Sequence, residues 1–256
     1  MRVPRFFIPR DHVSAGRATI RGEDALHLAG ALRLHRGEQI VVVDDAGIEH
    51  GVAVDAVSPD QVEGRVVWSR PATGEPTTAV HVIQAVPKAA MDEVVEALAE
   101  VGAAAVWPVI TRRTVSRPDE RRAAARLARW QAVAREAAGL SGRAAPPRIH
   151  PLMTLDEAID SLPSGSRLLV CTPEAGAPLS AVDLHQAEAV ALFVGPEGGF
   201  DIDERTSLAA AGAVAVHLGP RVLRARRAAA IATALVLLRA GEMDSAVAPP
   251  PQAVPV

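Results

Sequence analysis

The sequence predicts two domains: a small β-rich one over residues 1–72 and an α/β one over residues 73–245, built on a parallel sheet. Three observations carry this. Up to about residue 70, short Val-rich runs alternate with turn-formers. The stretch RPATGEPTTA (70–79) then reads as a linker. From residue 80, apolar runs alternate with helical stripes, the pattern of strands covered by helices on both faces. A chain of 256 residues suffices for such cores. At 49% hydrophobic and 22% charged residues it is neither disordered nor fibrous.

Taken in order, GEDALHLAGALRL predicts one short helix in the first domain. QIVVVDDAGIEHGVAVDAV is a hairpin around Asp44-Asp45-Ala46-Gly47, and VEGRVVWS follows the turn Ser58-Pro59-Asp60. Closely spaced strands of this kind predict a small barrel or sandwich. In the second domain VHVIQAV is a buried strand. MDEVVEALAEVG then places Val94, Val95, Leu98 and Val101 on one helical stripe, with Gly102 as the residue that ends it. AAVWPVI is the next strand and DERRAAARLARWQAVAREAAGL a long helix with an arginine-rich face. Thr154 and Glu157 form a capping-box pattern opening TLDEAIDSL. RLLVCTP and AVALFVG are buried strands, a helix begins near Asp201 and stops at Gly212, and AVAVHLG and AAAIATALVLLRAG close the domain. The tail VAPPPQAVPV (residues 246–256 with its flank) is Pro-rich and expected to be disordered.

Several function classes are excluded or disfavoured by composition. No run approaches the ~18–20 apolar residues of a membrane helix, and MRVPRFFIPRD lacks a secretory h-region, so a cytoplasmic location is expected. A single cysteine, Cys171, makes no internal disulfide and is read as a buried small hydrophobe. None of the eight histidines is assigned a ligand role, and no metal is expected. The net charge of −3 hides a local bias. Residues 112–143 carry nine arginines against Asp119, Glu120 and Glu136, and Arg221, Arg224, Arg226 and Arg227 form a second cluster. A polyanionic partner fits both.

Ligands of open parallel sheets bind beyond the carboxyl ends of strands. Three successive strand ends carry unusual residues: Thr172, Pro173 and Glu174; Gly195 to Gly199 in GPEGGF; and Gly219 to Arg224 in LGPRVLR. Glycines there let backbone groups approach a flat ligand without an intervening Cβ. Neither the phosphate-loop nor the dinucleotide fingerprint is present, which argues against a nucleotide-dependent oxidoreductase and leaves a heterocycle read by backbone open.

GPEGGF, and LGPRVLR leading into an alanine-rich helix, resemble the two signature loops of the bacterial 16S ribosomal RNA uridine-N3 methyltransferases, the RsmE family of the SPOUT class. RFFIP, LHLAGALRLHRGE, QAVPK, Glu100 with Gly102, TRR and RWQAVAREAAGLSGR resemble further family segments in the same order. The resemblance implies a PUA-like RNA-binding β-barrel domain followed by a SPOUT domain whose C-terminal part forms a trefoil knot. It implies S-adenosylmethionine as cofactor, a homodimer as active form, and methylation of N3 of a uridine in 16S ribosomal RNA of the small ribosomal subunit. The cofactor-binding residues so implied are Thr172, Pro173, Glu174, Val194, Gly195, Pro196, Glu197, Gly198, Gly199, Leu218, Gly219, Val222, Leu223, Arg224 and Ala229. Arg224 is the expected catalytic residue, stabilising charge on the uracil ring as the imide proton leaves. Arg5, Arg10, Arg33, Lys88 (the one lysine), Arg112, Arg113 and Arg143 are expected at RNA phosphates. The chain departs from the family at Ala225-Arg226-Arg227, where Thr-Glu-Thr is usual, at Gly139-Leu140 for Glu-Gln, and at Ala89-Ala90 for Gly-Asp. The first departure leaves an alternative reading, an RNA-binding protein of the same fold with weak or no transferase activity.

Overall fold

A computed structural model describes residues 3–173, 176–185, 187–244 and 246. The chain forms two compact units. The first draws on Met1–Glu75 and Ala138–Ala145, the second on Pro76–Ala137 and Pro146–Ala246.

The first unit contains β1 (Arg5–Ile8), β2 (Val13–Ser14), β3 (Arg17–Arg21), α1 (Glu23–Ala29), β4 (Gln39–Asp44), β5 (Ile48–Val57) and β6 (Gln61–Pro71). They form a six-stranded sheet in the order β1-β4-β5-β6-β3-β2, antiparallel except for β1 beside β4. One apolar cluster joins Phe6 and Ile8 of β1, Ile20 of β3, Leu28 of α1, Val42, Val54 and Val62. Strands from both sides of the sheet thus share one core, as in a sheet curled on itself. The expected hairpin is present, its turn tied by Asp44 Oδ1, which accepts from the amides of Ala46 and Ile48. Glu49, fully buried, is held by Arg5 and Arg70. A buried carboxylate is tolerable only with partners of this kind.

In the second unit the elements are β7 (Ala79–Ala85), α2 (Met91–Val101), β8 (Ala105–Ile110), α3 (Glu120–Ser141), β9 (Arg148–Ile149), β10 (Met153–Thr154), α4 (Leu155–Asp160), β11 (Arg167–Cys171), β12 (Ala177–Pro178), β13 (Ala189–Val194), α5 (Ile202–Ala210), β14 (Val214–His217) and α6 (Ala225–Arg239). The sheet runs β10-β8-β7-β13-β11-β14-β12, with β9 also on β8, and every pairing is parallel. The all-apolar strands predict this: β13 alternates nothing because both its faces are covered. Val80, Val82, Leu192 and Val194 pack to one side with α2 and α6 residues. Ile83, Trp107, Phe193 and Phe200 pack to the other with Leu155 of α4 and Leu208 of α5.

Helix ends follow the sequence signals. Thr154 and Asp201 both form capping boxes, with Glu157 and Glu204 respectively. Gly102 closes α2 with φ 104°, a left-handed conformation suited to glycine. One expectation is corrected. The long helix was expected to belong wholly to the second domain, yet its last residues pack in the first unit. Ala138 joins Phe7, Val43 and Ala72 in a small core. Gly139 lies so close to β1 that a Cβ would stand 2.7 Å from the carbonyl oxygen of Arg5. Arg143 pairs with Glu75 at 2.5 Å. The Gly139 departure therefore has a steric counterpart: any larger residue there requires the β1 backbone to shift. The expected Pro-rich tail lies almost wholly outside the described residues. Among those described, no helix is long and apolar enough to cross a membrane.

Candidate active site

The carboxyl ends of β7, β13, β11 and β14, neighbours in the sheet, open onto one cavity of about 630 Å³. That volume lies within the range for sites that enclose a cofactor-sized molecule. Its walls are built by the four loops that follow these strands and the first turn of α6.

The loop after β13 is closed on itself. A Cβ on Gly195 would come within 3.2 Å of Gly199 Cα and the Phe200 nitrogen, so that position admits only glycine without a shift of backbone. The Gly199 amide donates to the Pro196 carbonyl at 2.8 Å, and Gly199 itself has φ 68°. Phe200 then turns into the core and anchors the loop. Glu197 accepts the backbone amide of Lys88 at 3.2 and 3.3 Å, tying the loop to the end of β7.

A second brace comes from the segment after β8. Arg113 Nη1 donates to the Gly198 carbonyl at 2.5 Å. The Arg112 amide donates to Glu204 Oε1 at 2.7 Å, and its guanidinium reaches Asp203 at 2.6 Å and Asp201 at 3.3 Å. These carboxylates, Asp201 foremost, hold the Arg112 guanidinium protonated more tightly than usual. The loop after β14 turns at Gly219, φ 103°, whose amide donates to His217 Nδ1 at 3.3 Å. Arg224 is the N-cap of α6 in extended geometry, and its carbonyl accepts from the amides of Arg227 and Ala228.

Of the residues expected to hold a cofactor, Thr172, Pro173, Val194, Gly195, Pro196, Glu197, Gly199, Leu218, Gly219, Val222, Leu223 and Arg224 line the cavity. Gly198 does not: its Cα faces the Arg113 side chain. Nor does Ala229, which is buried in the core between α6 and the sheet. Glu174 lies outside the described residues. Arg221, within the expected Gly219 to Arg224 strand end, also lines the cavity, and lining residues not expected from the sequence include Phe200, Ala225, Arg226 and Ala228, together with Cys171. Burial pushes the Cys171 thiol up to about 12, so it stays protonated and is no nucleophile at neutral pH.

The cations expected at RNA separate into groups. Lys88 lines the cavity beside Arg221, Arg224 and Arg226. Arg10 and Arg33 are exposed on the first unit. Arg5 and Arg143, by contrast, are structural. Arg143 is 4% exposed and clamped by Glu75, and Arg5 donates to Glu49 and to the Arg143 carbonyl. Arg112 and Arg113 are exposed but engaged with the glycine loop and α5. The sequence pattern places all four at RNA phosphates because their acidic and carbonyl partners are distant in the chain. Chemically, the cavity offers backbone amides and carbonyls, apolar side chains and four cationic side chains. Its single carboxylate among the described lining, Glu197, is already committed to Lys88.

Residues 74–237 match the family of RNA methyltransferase domains. A protein of Mycobacterium bovis, ribosomal RNA small subunit methyltransferase E, is 35% identical over 235 residues, which cover 89% of this chain and 88% of that one. The crystal structure of a ribosomal RNA small subunit methyltransferase E from Neisseria gonorrhoeae bound to S-adenosylmethionine is similar, with TM-score 0.84 and 28% identity, covering 93% of this chain and 98% of that chain. A methyltransferase of Legionella pneumophila in complex with S-adenosylmethionine superposes with TM-score 0.86 at 26% identity, over 94% and 99% of the two chains.

Proposed function

The chain belongs to the ribosomal RNA small subunit methyltransferase E family, and on that premise we propose that it transfers a methyl group from S-adenosylmethionine to N3 of a uridine in 16S ribosomal RNA. The observation that carries the reading is the cavity itself. Gly195, Gly199 and Gly219 line it together with Lys88, Arg221, Arg224 and Arg226, at the strand ends where a parallel sheet binds ligands. The fit to the cofactor is supported by the closed turn at Gly195, where a Cβ would press on the Gly199 and Phe200 backbone and distort the loop that lines the cavity. Thr172, Pro173, Val194 to Glu197, Gly199, Leu218, Gly219, Val222 and Leu223 would hold it. When bound, the cofactor supplies an electrophilic methyl group on a sulfonium.

The chain's own residues do the rest. N3 lies on the pairing edge of uracil, so the base must be unpaired to enter. The Arg224 guanidinium offsets the negative charge that builds on the ring as the imide proton leaves for solvent. Holding the base against the methyl donor supplies much of the remaining acceleration. Arg10, Arg33 and Lys88 contact phosphates, and their side chains carry the salt dependence of RNA binding. We further propose a homodimer in the cytoplasm, with the C-terminal part of the second unit threaded as a trefoil knot. The dimer reading is supported by an apolar stripe on α6, where Ile231 and Leu238 are 39% and 53% exposed seven residues apart.

The test is genetic and chemical. Deleting the gene should abolish one 3-methyluridine in 16S ribosomal RNA, read by mass spectrometry of RNA fragments. Wild type should restore it, and Arg224→Ala should restore under a tenth of it, the scale expected for one lost charge-stabilising donor, ~10²-fold. Unchanged RNA in the deletion strain would refute the proposal.

A further inference from the structure

Arg226 stands at the second position of α6 and lines the cavity, and its Nη1 lies 3.5 Å from Oε2 of Glu93 in the first turn of α2. The pair is loose: one nitrogen–oxygen contact, with side chains 35% and 63% exposed. Ion pairs of this kind hold weakly and exchange partners readily. Around them, Lys88, Arg221 and Arg224 line the same cavity. Glu197, the one carboxylate among the described lining residues, is tied to a backbone amide and can offset only one of the four positive charges.

The first turn of α6 holds no acidic residue, yet Arg224, Arg226 and Arg227 all sit there. A helix start disfavours cations, and mutual repulsion among four cavity cations adds to the cost. Reading a neutral heterocycle through backbone groups requires none of this charge. An oxyanion does: guanidinium forks match phosphate and carboxylate oxygens in geometry and charge.

Resting on the methyl-transfer reading above, we infer that Arg226 is an oxyanion-binding, specificity-determining residue of the cavity, shared between Glu93 and a ligand oxyanion. Two sources supply that chemistry, a backbone phosphate of the RNA and the carboxylate of the cofactor's methionine moiety. Glu93 then acts as a competitor that sets how readily the guanidinium is released.

The two partners make opposite contributions, and the test uses this. Full-length wild type, Arg226→Ala, Arg226→Lys and Glu93→Gln are titrated with S-adenosylhomocysteine, with 5′-methylthioadenosine, which lacks the carboxylate, and with a single-stranded RNA of small-subunit sequence. Calorimetry reads the first two and fluorescence anisotropy the third, and thermal melting confirms folding. Arg226→Ala is expected to weaken the oxyanion-bearing ligand about tenfold, as for a lost charged hydrogen bond. Arg226→Lys should recover part of the loss. Glu93→Gln should tighten the same ligand about two- to fivefold, since it removes the competitor. Loss on S-adenosylhomocysteine with 5′-methylthioadenosine unchanged assigns the carboxylate, and loss on RNA with both small ligands unchanged assigns the phosphate.

A purely structural pair would instead respond in the same direction to both substitutions, because each breaks the same contact. That outcome, or no response to either, overturns the role of Arg226 while leaving methyl transfer standing, provided wild type binds S-adenosylhomocysteine and RNA. A wild type that binds neither overturns both. Should Arg226→Ala fail to fold, Glu93→Gln decides alone: tightening supports the role and any weakening refutes it.

Discussion

At the level of single residues, side chains expected at RNA brace the site instead. Arg113 donates to the Gly198 carbonyl, and Arg112 engages Asp201, Asp203 and Glu204. Glu197 ties down the same loop from the other side through the Lys88 amide. Removing Arg113 leaves the glycine loop without its contact to the segment after β8. Arg113→Ala should therefore weaken S-adenosylmethionine binding about five- to twentyfold in calorimetry, in line with one charged hydrogen bond. It should shift the melting temperature only slightly, because the donor is exposed. A variant that binds cofactor as tightly as wild type would remove Arg113 from the positioning machinery. Glycine spacing made the loops at 195–199 and 219–224 legible in the sequence. Arg226 was legible only as charge, since which face of a helix turn points into a cavity is settled by tertiary packing.

Among the elements, what can be read locally is found as expected and what depends on distant contacts is not. The capping boxes at Thr154 and Asp201 and the glycine stop at Gly102 are local chemistry and appear where their signals lie. The two-residue strands β9, β10 and β12 have no periodicity to read, and exist because β8 and β14 offer them an edge. The end of α3 joins the first unit for a reason no helical period reveals, the close approach of Gly139 to β1.

Between β7, β8 and β9 the structure adds another feature that was not foreseen. His150 stacks on Trp107 with ring centroids 3.4 Å apart and 12° between planes, and His81 meets the same indole edge-on. Burial, then Arg148 and His81, lowers the His150 pKa to about 4, and burial lowers that of His81. Both groups are thus disfavoured as cations in the folded state. The contribution of each is complete above the unfolded value near 6.5 and is lost as pH falls through its lowered folded value, about 4 for His150. For His150 the loss between pH 7 and pH 4.5 should be on the order of 1–2 kcal/mol in urea unfolding. His150→Phe keeps a stacking ring that cannot titrate and should flatten that slope. An identical slope in the variant would place the pH dependence elsewhere.

For the whole molecule, the sheet order does the positioning. β13 lies between β7 and β11, so segments near residues 88, 172, 195 and 219 converge although about half the chain separates the first from the last. The two-unit organisation and the parallel sheet follow from hydrophobic patterning. A knot would not, because threading is a property of the path and leaves no mark on local sequence. The central claim is that this cavity delivers a methyl group to a uridine of small-subunit RNA. The most direct measurement incubates purified full-length protein with methyl-labelled S-adenosylmethionine and small ribosomal subunits from a deletion strain, then maps the label by mass spectrometry of RNA fragments. Label is expected on N3 of one uridine, strongly reduced for Arg224→Ala. Cofactor binding with no label in RNA, or label on a ribose or another base, would contradict it.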